Sequence, residues 1–187
     1  MIMNVLLRTW LPGAVVLTAI AGALASTPAA AVFTFRFIMN NAVADCDPRS
    51  PGAENKLFRR ATGIANISDS LTFVTCSMQA QMEGSESGAG SSLAAVSFIN
   101  RSGADAMVGC TLVTNHRFPD GHFGWAYYSK SMVVPATSPD LVWGHFMHFI
   151  ASQEGGYFGD QINFSCALPP GVEIVTTRHD YTEFTTP

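Results

Sequence analysis

Five histidines lie in the second half of the chain, and four of them fall into pairs: His116 and His122 flank a turn, and His145 and His148 stand three apart. Imidazole is the commonest metal ligand and the usual general base near neutral pH, so these pairs are the first places to look for chemistry. Geometry argues against both. Side chains alternate between the faces of a strand, so His145 and His148 point apart unless Leu141–Gln153 is helical. His116 and His122 share a face only if Gly121 forms a bulge in a three-residue loop. Asp45, Asp47 and Glu54 cluster near Cys46 but lack the Asp/Asn–Gly alternation of a calcium loop. Glu83 and Glu86 sit in a Gly/Ser-rich stretch, and Asp160, Glu173, Asp180 and Glu183 are spread over the end of the chain. There is no G-x-S-x-G elbow, H-E-x-x-H pair or phosphate loop. The expectation is no catalytic residue, no metal and no cofactor.

Aromatic side chains offer a different chemistry, stacking on sugar rings. Trp125, Tyr127, Tyr128, Trp143 and Tyr157 are the candidates, although aromatics on sandwich strands are more often core. The segment Gln153-Glu154-Gly155-Gly156-Tyr157-Phe158-Gly159-Asp160 reads as a loop with two aromatics at its tip, where exposure is costly without a purpose. Tyr157, Phe158 and Trp143 are therefore the expected ligand contacts. Three N-x-S sequons, at Asn66, Asn100 and Asn163, read as chance occurrences. The third runs into Cys166 on a core strand, where a glycan would clash.

The four cysteines depend on compartment. Arg8 precedes an apolar run over Leu11–Leu24, followed by Ala23-Leu24-Ala25 and Ala29-Ala30-Ala31, the layout of a cleavable export signal. The run is too short to span a bilayer, which needs about 20 residues. Residues 1–25 are the expected signal peptide, with cleavage as late as residue 31 as the alternative. Residues 32–187 are then one secreted or periplasmic domain. In that setting four cysteines mean two disulfides, with three connectivities available. Cys76, Cys110 and Cys166 each sit in a small–Cys–small–apolar frame. The preferred pairing is Cys46–Cys76, closing the N-terminal part, and Cys110–Cys166, joining two strands with matching frames.

The elements around these residues read as β throughout. Val32–Met39 alternates, with Phe33, Phe35 and Phe37 on one face. Strands are expected over Phe58–Ile67, Leu71–Met78, Ser92–Asn100, Ala104–Asn115, His122–Val134, Leu141–Ala151, Gln161–Leu168 and Val172–His179. Asn40–Asn55 and Gln79–Ser92 read as loops. Turn residues recur at the spacing of a sandwich or barrel. Phe118-Pro119-Asp120-Gly121 marks a hairpin with two possible registers. A four-residue loop pairs Arg117 with His122 and puts Cys110, Leu112, Phe123, Trp125 and Tyr127 on one buried face. That register is preferred, because a buried face specifies register strongly.

Charge excludes one partner class. Ten Lys and Arg against fourteen Asp and Glu leave a net charge of −4. Without a basic stripe the chain is no nucleic-acid binder. No later segment is apolar enough to span a bilayer. The signal peptide, the early Cys46, Cys76 on a strand, Gly109-Cys110-Thr111-Leu112, the Ser129–Ala136 strand and Asn163-Phe164-Ser165-Cys166-Ala167-Leu168-Pro169-Pro170-Gly171 resemble a group of small exported bacterial proteins of unknown function. That resemblance implies a disulfide-bonded β-sandwich and supplies no catalytic residues. The expected architecture is an antiparallel, jelly-roll-like β-sandwich with two disulfides. Its expected role is a non-catalytic binding or surface-interaction protein for carbohydrate or another cell-envelope component. The alternatives are a secreted enzyme with a loop-built His/carboxylate or metal site, and a structural subunit pairing through a sheet edge such as Phe33–Phe37.

Overall fold

The computed structural model describes residues 32–79, 91–117, 123–136, 144–154, 158–159 and 161–185. The expected signal peptide lies outside them. The strands are β1 (Val32–Asn41), β2 (Cys46–Pro48), β3 (Leu57–Arg60), β4 (Gly63–Asn66), β5 (Thr72–Gln79), β6 (Ser91–Asn100), β7 (Ala106–Arg117), β8 (Phe123–Val134), β9 (His145–Ile150), β10 (Gln161–Leu168) and β11 (Val172–Thr185). They form two antiparallel sheets. Sheet A runs β3-β4-β11-β6-β9, with β1 also on β11, and sheet B runs β2-β5-β10-β7-β8. One short helix, α1 (Ala42–Asp45), and the strand β2 interrupt what reads in sequence as a loop. The helix is capped by Asn41, whose side chain accepts a bond from the Val43 amide.

The connectivity is that of one long antiparallel ribbon folded back on itself. Strand β7 pairs with β8, β6 with β9, β5 with β10 and β4 with β11. Apart from the β7–β8 hairpin, consecutive strands of this ribbon lie in opposite sheets, so the fold is a jelly roll. Alternation in sequence fills its interior. On β10, Ile162, Phe164, Cys166 and Leu168 are buried while Asn163, Ser165 and Ala167 face outward. Facing them across the core are Ile64, Ala94, Val96, Phe98, Met147, Phe149 and Ile174. Burying each large side chain contributes roughly 1.5–3 kcal/mol relative to exposure.

Both disulfides form as expected, Cys46–Cys76 and Cys110–Cys166. Each joins directly opposed residues of neighbouring strands within sheet B, on its core side. Among the described residues no helix is long and apolar enough to cross a membrane.

Strand β11 changes phase part-way. Its pairing with β6 shifts by one residue between Ile174 and Thr177. Val172 and Ile174 face the core before this bulge, and Thr177 and His179 face it afterwards, opposite Val96 and Ala94. The bulge thus turns a histidine inward. The Pro169-Pro170-Gly171 turn feeds β11, and Gly171 has φ 77°, the left-handed region that suits glycine.

Candidate functional site

The β7–β8 hairpin determines which aromatics are available. Its register pairs Arg117 with Phe123, Leu112 with Tyr128 and Cys110 with Lys130. This corrects the expected pairing of Arg117 with His122. Cys110 and Leu112 face the core, and on β8 the same side carries half-buried Tyr128 and Met132 and buried Val134. Trp125 and Tyr127 turn outward and are 51 % and 65 % exposed. The rule that a buried face sets register still holds. The error lay in assuming that Trp125 and Tyr127 belonged to it, when Tyr128, Met132 and Val134 serve the core instead.

The outer face of sheet B is therefore a built surface. Thr75, Ser165, Thr111 and Ser129 lie side by side across β5, β10, β7 and β8, a row of hydroxyls four strands wide. Thr111 Oγ1 and Ser129 Oγ share a hydrogen bond of 2.8 Å. The next row is Ser77, Asn163, Val113 and Tyr127, and Trp125 follows opposite Asn115. On the other side of the hydroxyl row, Ala167 and Gly109 keep the floor low beside Phe73. The exposed Phe73, Met107 and Val133 close that end, and Tyr127 and Trp125 close the other. The result is a shallow polar trough across the strands between two apolar rims. Trp125 and Tyr127 are two residues apart, about 7 Å along the strand.

The expected ligand contacts fare differently. Phe158 is 2 % exposed and belongs to the core cluster, which corrects its assignment to a loop tip. Its backbone exchanges hydrogen bonds of 3.0 and 3.2 Å with Ser91, and its ring lies 5.7 Å from that of Tyr128. Next to it, Gly159 approaches so closely that a Cβ there would stand 1.9 Å from Asn115 Oδ1. Here the chain passes from sheet A to sheet B, and burying a phenylalanine anchors the crossing. Trp143 and Tyr157 lie outside the described residues.

Among the described residues, the histidines join no group of three or more His, Cys, Asp or Glu side chains. His145 and His148 sit on β9, a strand as expected, opposite Phe98 and Ala95 and so on different faces. His122 lies outside the described residues. His179 is fully buried, and neither ring nitrogen has a hydrogen-bond partner. Burial pushes its pKa down, opposed by the charge of Asp180. Its ring stacks on Tyr181 at 5.3 Å.

Several acids are instead committed to cations. Glu173, fully buried, accepts from Arg101 Nε at 3.1 Å and Thr62 Oγ1 at 2.7 Å. Asp180 takes a two-pronged contact from Arg178 at 2.7 and 2.8 Å. Glu154 pairs with Lys130 at 2.8 Å. Asp47 pairs with Arg59 beside a cleft of about 350 Å³ that Glu54, Pro48, Leu57 and Ile64 also line. The buried carboxylates of Glu173 and Asp180 need such partners, whereas the Asp47–Arg59 pair is exposed. Among the described residues, no three His, Cys, Asp or Glu side chains are placed to hold a metal ion.

Two of the sequons have a structural role. Asn66 ends β4 and Asn100 ends β6, each 1 % exposed or less. Asn66 Nδ2 donates to Ser70 O and, across to sheet B, to Leu168 O, both at 2.8 Å. Asn100 Nδ2 donates to Ala104 O at 2.7 Å and to Val134 O at 2.9 Å. In each case the following Ser bonds back to the Asn Oδ1 through its amide and its hydroxyl. The two segments are a structural repeat, and Asn66 leads to Cys76 at the same spacing as Asn100 leads to Cys110. That shared N-x-S-to-Cys spacing was the signal available in the sequence. Read as sequons, the two segments gave no hint that each Asn clamps sheet A to sheet B.

No protein-family model matches the chain, and no curated protein matches it in sequence.

Proposed function

We propose that this protein is an exported, non-catalytic binding module whose ligand is carbohydrate of the cell envelope or its surroundings, held on the outer face of sheet B. The reading rests on one observation: Trp125 and Tyr127 are half or more exposed at the rim of a hydroxyl-floored trough. A sugar ring has apolar faces, which stack on such aromatics, and an equator of hydroxyls, which the floor of Ser, Thr and Asn can meet. Exposing two large aromatic side chains together is unfavourable unless a ligand covers them. Two disulfides fit an oxidising compartment, and the apolar N-terminal run supplies a route to one. The jelly roll hosts lectin domains among many other functions, so the fold alone carries no ligand.

The test is a glycan array followed by titration monitored by tryptophan fluorescence. Binding that quenches the Trp125 signal and is lost in Trp125→Ala supports the proposal. Binding untouched by Trp125→Ala and Tyr127→Ala, or no binding to any glycan, removes it.

A further inference from the structure

Edge strands present unpaired amide and carbonyl groups, and proteins blunt them with brevity, proline, charge or bulges. Most edges here are blunted. Strand β2 has three residues and ends on Pro48. Strand β3 has four, two of them Arg59 and Arg60. Strand β9 has six. Strand β8 is long, but its Lys130 reaches His148 O on β9 at 3.1 Å and Glu154 at 2.8 Å, tying that edge to the other sheet.

Strand β1 has one of these devices, the single charge of Arg36, and neither brevity, proline nor bulge. It runs ten residues without Pro, Lys, Asp or Glu. It pairs with β11 along its whole length with no register shift. Among the described residues no strand pairs with its other side. Its outward row carries Phe35 and Phe37, 60 % and 58 % exposed. Arg36, its one charged residue, belongs to the opposite row, beside Tyr181.

We propose that β1 is a homodimerisation edge, with β1 of a second copy added antiparallel across a two-fold axis. A two-fold axis perpendicular to the sheet requires one residue to face its own counterpart, and it keeps outer face beside outer face. Centring on Arg36 sets two guanidinium groups opposite each other, which is unfavourable. Centring on Phe35 sets Phe35 against Phe35, position 37 against position 33, and Arg36 against Thr34. It also places at the axis the phenylalanine that Arg178 does not cover, since that guanidinium lies 5.1 Å from the Phe37 ring. The main chain completes its hydrogen-bond ladder and the phenylalanine row is doubled and covered. Such a dimer displays two sheet-B faces, so a multivalent ligand that reaches both is held with avidity. The dimer itself does not rest on the carbohydrate reading.

The test is sedimentation of the exported protein over a concentration series, with hydrogen exchange of the β1 amides. The expected result is a dimer whose fraction, and whose β1 protection, rise together with concentration. Phe35→Lys, which sets like charges across the axis, is expected to weaken association by tenfold or more with an unchanged circular dichroism spectrum. Ile67→Lys, at an exposed site in the β4–β5 loop, is expected to leave it unchanged. A monomer at every concentration overturns the proposal, as does a folded Phe35→Lys dimer of undiminished strength. If Phe35→Lys does not fold, the wild-type exchange decides, and β1 protection independent of concentration overturns it.

Discussion

Two pairs of exposed aromatics, Trp125 with Tyr127 and Phe35 with Phe37, have the same spacing on the outer faces of long strands. Their surroundings differ. The first pair has polar tips, borders a row of Ser and Thr, and lies on a strand whose edge Lys130 ties to β9. The second pair is hydrocarbon and lies on a strand that, like β8, has one side without a strand partner among the described residues, but borders no such row of hydroxyls. Exposed aromatic area alone does not say what will cover it. The neighbouring hydrogen-bond groups do: side-chain hydroxyls suit a small polar ligand, and unpaired main-chain groups suit another strand.

Both surfaces depend on one frame, so the largest effects come from removing it. Replacing Cys110 and Cys166 together by Ala is expected to lower stability by roughly 2–5 kcal/mol in urea unfolding and to weaken both surfaces together. Should glycan binding survive at full strength in a protein destabilised this far, the trough does not need the stapled sheet. Asn66→Ala and Asn100→Ala should each cost about 2–3 kcal/mol, because each leaves buried carbonyls without a donor. Similar losses are expected from the two, since their hydrogen bonds match. A cost at only one of them would show that the repeat is not energetically symmetric.

Trp125→Ala separates the two surfaces. Affinity for a bound glycan should fall about tenfold, close to the 1.4 kcal/mol of one stacked contact, while thermal stability and self-association stay unchanged. A parallel loss of dimer would mean that the two aromatic pairs are not independent.

The smallest effect is a pH dependence confined to one side. His179 lies on β11 opposite Ile38 of β1. Burial lowers its pKa below the roughly 6.5 of the unfolded chain. As pH falls, the unfolded state takes up the proton first, so stability is complete above about 6.5 and is lost as pH drops toward the folded-state pKa. The charged groups nearest in the chain, Arg178 and Asp180, pair with each other and offer the imidazole no hydrogen bond. Exchange at pH 5 should therefore loosen β1 and β11 before β7 and β8, and His179→Leu should remove the difference. Uniform loosening of both sheets would place the acid sensitivity elsewhere.

How much of this was legible can be followed residue by residue. The alternation of β10 identified Ile162, Phe164, Cys166 and Leu168 as core, and the matching Cys frames favoured Cys110–Cys166 among the three connectivities. The β9 strand over His145–Ile150 followed from residue type. Phe158 misled, because a Gly-rich flank resembles an exposed tip even when the ring is an anchor. The hairpin misled more consequentially, since a shift of one residue exchanges every face. Glu173 and His179 could not be placed, because Arg101 and Thr62 lie far from Glu173 in the chain and the inward turn of the imidazole comes from one bulge. Arg178, the partner of Asp180, is only two residues away.

The sequence by itself determined the local rules: strands from period-two alternation, turns from Gly, Pro and Asn, and two disulfides from four cysteines. These depend on residues within a few positions of each other. Only the tertiary structure decided that the ribbon closes into a jelly roll, that Trp125 and Tyr127 face out over a floor of hydroxyls, and that β1 is a ten-residue edge with an exposed phenylalanine row. Those outcomes depend on which strand lies beside which and in what register, and register is a choice between pairings whose local patterns are almost equally good.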